Sequence, residues 1–261
     1  MRSRGGLHRI RAALAGDEYA RRMRAGWSPP SDPPRPTLPL VLLVLTLTTG
    51  LVDAVSYLGL QHAFTALQTG NVVTLGFALA GVEGFPKAPP AISLIAFTVG
   101  AGAGGRLAFR LIHRHRRWFA LSLGIEAMLV ALAAVTVSSA MPDIGFDPRL
   151  LAVVLLAAAM GLRSATVRLL PTPDASTTVV TSTLTGLAAD SAALRGGVVQ
   201  PAWRMVLITA RVAGAAVGAL MVQVSLSLPL LLMAGLTALV AVGYALPALR
   251  RSRRARRGLS P

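Results

Sequence analysis

The sequence predicts an all-α, polytopic helical membrane protein with eight helical segments, about six of them full spans, arranged as two internally repeated halves. Three observations carry that prediction. The 261 residues are 54% hydrophobic and only 14% charged, where a soluble domain carries about 25% charged residues. The apolar residues fall into long runs punctuated by prolines and arginines. Polar motifs then recur in the second half at a nearly constant offset.

The segments lie at about 38–60, 64–82, 90–111, 118–140, 149–169, 177–194, 203–224 and 228–248. Spanning a bilayer takes roughly 20 apolar residues. The second segment is borderline, and the sixth is weakened by Thr177, Thr178, Thr181, Ser182, Thr183, Thr185 and Asp190. Residues 1–37 read as a basic, Pro-rich cytoplasmic tail in which Leu7, Ile10 and Leu14 share one helical face. Residues 38–248 form the membrane domain, and 249–261 a second basic tail.

A net charge of +16 raises nucleic acid as a partner, but the placement of the charge argues against it. Eight arginines lie in 1–35, five in 106–117 and six in 250–257, and each group flanks an apolar run. That is the pattern selected by the positive-inside rule and by anionic lipid headgroups. The chain has no cysteine, which excludes disulfides and thiolate metal sites. No HExxH, GxSxG or phosphate-binding glycine loop occurs, so neither an enzyme nor a cofactor is expected.

The repeat has two matching stretches. Gly50-Leu51 leads to Thr69-Gly70-Asn71, as Gly161-Leu162 leads to Thr181-Ser182-Thr183. LIAFTVGAGAGGRL at Leu94–Leu107 then matches LITARVAGAAVGAL at Leu207–Leu220. Repeat one covers about 38–140 and repeat two about 149–248. Gly100 with Gly104, and Gly214 with Gly218, have the four-residue spacing that lets membrane helices approach closely. Eight full spans would put the His113–Arg117 basic run outside and the Asp143–Asp147 loop inside, against the arginine rule. Six spans, with the second and sixth segments entering without crossing, reverse both placements and invert one half against the other. Six is the preferred count, and eight spans in parallel halves the alternative.

Asp53 is the residue around which a function can be built. An ionisable group inside a span is costly and marks a functional site by default. It lies on a polar stripe with Thr46, Thr49, Gly50, Ser56 and Tyr57, opposite Leu45, Leu51, Val52 and Val55. Asp53 is placed to bind a cation or proton, or alternatively to pair structurally with an arginine of a neighbouring helix. Thr69-Gly70-Asn71 suits an unwound turn whose carbonyls bind an ion or solute, or else a helix–helix contact through Thr and Asn. Glu126 and Asp190 are further intramembrane acids. Arg211 either neutralises one of the acids or snorkels to the interface, and snorkelling is favoured. Arg106, Arg110, Arg163 and Arg168 read as topology anchors.

The Gly50–Tyr57 pattern (glycine–x–x–Asp–Ala–x–Ser–Tyr), Phe64, the Thr-Gly-Asn triplet and the threonine-rich Thr177–Gly186 stretch resemble the YoaK-like family of bacterial integral membrane proteins. The resemblance spans about 38–248 and implies an inner-membrane protein of unassigned activity. One departure is Thr-Ser-Thr in the second half, where Thr-Gly-Thr is the family's expectation.

The functional expectation is a secondary-transporter-like permease for a small solute or ion, with Asp53 proton- or cation-linked. Its site would comprise Asp53, Thr49, Tyr57, Thr69, Gly70, Asn71, Thr181, Ser182, Thr183, Glu126 and Asp190. The alternative is a non-transporting scaffold or accessory protein whose basic tails bind partners or anionic lipids. The expected location is the bacterial cytoplasmic membrane, with both termini cytoplasmic.

Overall fold

A computed structural model describes residues 38–111, 114–138, 147–170 and 201–256, without the side chains of 115, 201, 202, 204 and 246–256. The described residues form seven helices and no strand: α1 (Leu38–Gly59), α2 (Gln68–Leu79), α3 (Ala88–Leu111), α4 (His115–Thr136), α5 (Pro148–Arg168), α6 (Pro201–Val222) and α7 (Ser227–Arg256). The expected sixth segment, 177–194, and the tail at 1–37 lie outside the described residues; of the tail expected at 249–261, residues 249–256 continue α7 and 257–261 lie outside.

Six helices are long and apolar enough to cross a membrane, and α2 is not among them. At 1.5 Å per residue its 12 residues reach about 18 Å, well short of a hydrocarbon core of about 30 Å. Large apolar side chains such as Ile95, Val99, Val212, Leu220 and Leu239 stand on the outside of the bundle. In a bilayer these meet acyl chains. The chain is thus a polytopic helical membrane protein in contact with lipid.

Glycines set the closest helix pairs. A Cβ on Gly214 would collide with the carbonyl oxygen of Leu47, and one on Gly218 would lie 2.8 Å from that of Leu51. Gly50 meets the Arg211 carbonyl in the same way. As Leu47 and Leu51 meet Gly214 and Gly218 in the same order along both helices, α1 and α6 run parallel. On the other side Gly100 abuts the Ala158 carbonyl, Gly104 faces Leu162 and Ala165, and Gly161 abuts the Phe97 carbonyl. So α3 and α5 also run parallel. All four glycines expected to mediate packing do so, joined by Gly50 and Gly161.

Other contacts fix the remaining directions. Gln61 Nε2 donates to Asp147 Oδ2 at 2.7 Å beyond one end of α1, while Arg163 Nη1 donates to the Leu45 carbonyl at 2.9 Å lower down. Hence α5 runs antiparallel to α1. Phe119 packs on Tyr244 with ring centroids 4.8 Å apart, and Thr237 reaches Glu126, so α4 and α7 are antiparallel. The six long helices therefore alternate in direction along the chain, and α1–α5, α3–α6 and α4–α7 point oppositely. Arg106, Arg110, Arg114, Arg116, Arg117 and Arg168 gather at the end where α1 begins.

The core has two apolar clusters. One contains Leu51, Val55, Val130, Ala133, Leu156, Met160, Leu230 and Met233. The other contains Leu38, Leu42, Leu45, Phe119, Leu123, Val167 and Ala241. On α1, α4, α5 and α7 alike, buried polar residues lie between the clusters: Thr48 and Thr49, Glu126, Arg163, and Thr237. Helix α1 is buried on both sides, since Leu51, Val52 and Val55 are as inaccessible as Thr49 and Ser56.

Candidate functional site

Two ion pairs lie within the spanning helices. The first joins Asp53 of α1 to Arg211 of α6, with Arg211 Nη2 donating to Asp53 Oδ2 at 2.6 Å. Snorkelling of Arg211, favoured from sequence, is thereby overturned: the parallel crossing through Gly50 brings its backbone against α1, and its side chain meets Asp53. Asp53 Oδ1 accepts the backbone N–H groups of Ala66 (3.1 Å) and Leu67 (3.3 Å), just ahead of α2. Leu67, at the N-cap of α2, makes no side-chain cap of its own. A carboxylate there satisfies orphan amides and complements the helix dipole.

The rest of the Gly50–Asn71 stretch closes the loop over this acid. Asn71 is fully buried: its Oδ1 accepts the Phe64 N–H at 2.9 Å, and its Nδ2 donates to the Phe64 carbonyl at 2.6 Å. Ser93 of α3 donates to the same carbonyl at 2.6 Å and accepts from Asn71 at 3.1 Å. Phe64 stacks on Tyr57 with centroids 4.6 Å apart, and Gly70 leaves room for that ring, which a Cβ would approach to 2.6 Å. Gln61 and His62 both have φ near +60°, held by the Gln61–Asp147 bond and by His62 packing edge-on to Tyr57. Two successive non-glycine residues in this region are uncommon and need such support.

The unwound turn expected at Thr69-Gly70-Asn71 is therefore corrected. The triplet lies in the first turns of α2, and its polar groups are used to fix the preceding loop. The alternative, a contact through the asparagine, is the one found, with Ser93 of α3 as partner. Thr181, Ser182, Thr183 and Asp190 lie outside the described residues.

The second ion pair joins Arg163 of α5 to Glu126 of α4. Arg163 is 1% exposed and Glu126 fully buried. Arg163 Nε donates to Glu126 Oε1 at 2.9 Å, and Nη2 makes a short contact with the same oxygen. Nη1 donates to the Leu45 carbonyl (2.9 Å), Thr48 Oγ1 (2.9 Å) and Thr49 Oγ1 (3.1 Å). Both threonine hydroxyls in turn donate to the Leu45 carbonyl. Thr237 of α7 lies 3.4 Å from Nη2 and 3.5 Å from Glu126 Oε1. Four helices thus meet in one charged, hydrogen-bonded layer between the two apolar clusters.

Arg163 was read as a topology anchor and is instead the most deeply held cation described. A signal existed in the sequence. Arg163 lies five residues inside the end of α5, and side chains on a helix tilt toward its N-terminus, so its head group is carried back into the span. Thr48, Thr237 and Ser93 gave no such signal, since a hydroxyl in an apolar run usually bonds its own helix. Of the expected site residues, Asp53, Tyr57, Gly70 and Asn71 share the loop site, and Thr49 and Glu126 share the central layer.

Comparison with known proteins agrees with this architecture. The chain is 30% identical over 154 residues to the UPF0700 transmembrane protein YoaK of Bacillus subtilis (strain 168), an overlap of 58% of this chain and 65% of that relative. The chain thus spans about two thirds, 65%, of the length of the curated relative it matches. No solved structure matches it. The family described as "Protein of unknown function (DUF1275)" matches residues 41–243, which take in the six long helices' apolar parts and both ion pairs. The chain belongs to that family, the DUF1275 proteins of unknown function.

Proposed function

We propose that this protein is a secondary-transporter-like permease for a small solute or ion, built from two inverted halves. The observation that carries the reading is the Arg163–Glu126 layer. Charges so deep in a membrane span are costly and rarely kept for packing alone. Here the pair is shared by α1 and α4 from the first half and by α5 and α7 from the second. A polar site where oppositely directed halves meet is how inverted-repeat transporters are organised. The opposite directions of α1 and α5, α3 and α6, and α4 and α7 support the inversion, as do matching glycine contacts: Gly50 on the Arg211 carbonyl corresponds to Gly161 on that of Phe97, and Gly214 on that of Leu47 to Gly100 on that of Ala158.

In this reading the Asp53–Arg211 pair is a lock. It ties α6 to the loop before α2, and access from that end requires it to part. The membrane is the bacterial cytoplasmic one, the arginine-rich end of the bundle faces the cytoplasm and its anionic headgroups, and both termini are cytoplasmic. What supports the orientation is the gathering of six arginines there.

Purified protein in proteoliposomes, screened by solid-supported membrane electrophysiology against a panel of small organic anions, cations and neutral solutes, tests the reading. A solute-dependent current that Asp53→Asn reduces is expected. No current with any solute, together with a partner that co-purifies stoichiometrically, would replace the permease with a scaffold. Single cysteines at His62 and Glu83 are expected to label from outside, and at His115 from the cytoplasm. Labelling of position 115 from outside only overturns the orientation.

A further inference from the structure

Four buried side-chain polar atoms lack a hydrogen-bond partner among the described residues: Thr65 Oγ1, Trp118 Nε1, Ser122 Oγ and Glu126 Oε2. Three of the four lie on α4 at intervals of four residues, and therefore on one face at successive turns. Trp118, Ser122 and Glu126 are 4%, 1% and 0% exposed. The series begins beside the arginine-rich end of the bundle and stops at the central layer. Unpartnered polar atoms in a core are costly, and each needs a reason. Three in register along one helix share one reason.

We propose that Glu126 is the proton-exchanging group of the central layer, reached from the arginine-rich end through water held along the Trp118–Ser122–Glu126 face. The residues that carry these atoms are four apart, about 6 Å along the axis. That is about two hydrogen bonds of 2.8 Å end to end, so one water bridges each gap. Trp118 Nε1 only donates and orients the first water, whereas the Ser122 hydroxyl both accepts and donates and completes the relay. The inference rests on the permease reading and deepens it by naming the coupled ion.

The two oxygens of Glu126 have separate tasks. Oε1 takes all the donors that Arg163 and Thr237 offer, while Oε2 accepts from none. A protonated water gives up one O–H bond and becomes neutral as one O–H bond forms at Oε2, and the hydrogen bonds to Oε1 stay in place. The pair then changes from net neutral to a charge of +1. Arg163 remains held by the Leu45 carbonyl and the hydroxyls of Thr48 and Thr49. Among the described residues Arg163 of α5 is the charged group in contact with Glu126; α7 contributes Thr237 and α1 contributes Thr48 and Thr49, none of which titrates near neutrality. Asp53 lacks this freedom, because both of its oxygens already accept hydrogen bonds.

Infrared difference spectroscopy of the full-length protein in lipid, titrated with acid, tests the assignment. The wild type is expected to gain the C=O band of a buried protonated carboxyl, and Glu126→Gln to lack it. Ser122→Ala removes the hydroxyl with little change in volume. It is expected to leave the band in place and slow its deuterium shift about tenfold, a barrier higher by about 1.4 kcal/mol. Should Glu126→Gln fail to fold, Glu126→Asp serves, and a displaced band is expected. A band unchanged by either Glu126 variant overturns the assignment, and an unaltered deuterium shift in Ser122→Ala overturns the path. Proton-coupled solute currents that survive Glu126→Gln overturn this inference and leave the permease standing. A Glu126-dependent band without any solute current does the reverse.

Discussion

Asp53 and Glu126 are both acids inside a spanning helix, and each faces an arginine from far along the chain. They are held in opposite ways. Asp53 lies near the end of α1, and its two oxygens are divided between Arg211 and two loop amides. Removing any one partner leaves others, and what is lost is mainly the fold of residues 60–67. Glu126 lies near the middle of α4 with every donor on one oxygen. Its partner Arg163 is buried and is held as well by α1 and α7. The first pair pins a loop; the second joins the two apolar clusters of the core across a charged layer.

That contrast orders the expected effects of substitution. Glu126→Leu leaves a buried guanidinium without its counter-charge, a defect that costs about 3–5 kcal/mol. Thermal or denaturant unfolding in detergent micelles is expected to show a large loss, or the protein to accumulate poorly. Gly214→Leu comes next: the side chain is driven into the Leu47 carbonyl, forcing α1 and α6 apart, and overpacking of this kind costs about 1–3 kcal/mol. A loss no greater than that of an outward-facing glycine would contradict the close crossing. Asp53→Asn weakens a charge-assisted bond to Arg211 and is expected to remove about 1.5–3 kcal/mol. The loss is local, so hydrogen exchange should accelerate at Ala66 and Leu67 and stay unchanged through α4 and α5. Gly124→Ala is the smallest. A Cβ there meets nothing within 4 Å, and the change is expected to be neutral or to stabilise the helix by up to about 1 kcal/mol.

How far these features could be read from the sequence follows from the kind of interaction each rests on. Length and apolarity select spans directly, so the six long helices and the shortness of the second segment were legible. The small-residue pairs Gly100/Gly104 and Gly214/Gly218 were legible too, because four-residue spacing has one common use in membrane helices. Asp53 stood out as a charge in the wrong medium. Its partner did not, since the crossing of α1 and α6 joins residues 158 positions apart. The Thr-Gly-Asn triplet misled for a related reason. A glycine between hydrogen-bonding residues suits an opened turn, but the Phe64 ring and Ser93 of α3 supply tertiary partners that keep it helical. Arg163 was misread because nearness to a helix end was weighed without the direction in which its side chain points.

The central claim is that Arg163 and Glu126 neutralise one another within the core that four helices share. A double-mutant cycle with Glu126→Leu, Arg163→Met and the pair together, read by unfolding free energy in micelles, tests it most directly. The single variants are each expected to lose about 3–5 kcal/mol, and the double to recover most of that loss, since two apolar residues leave no charge stranded. Losses that simply add in the double variant would show that the two side chains do not depend on each other, and the charged layer would have to be abandoned.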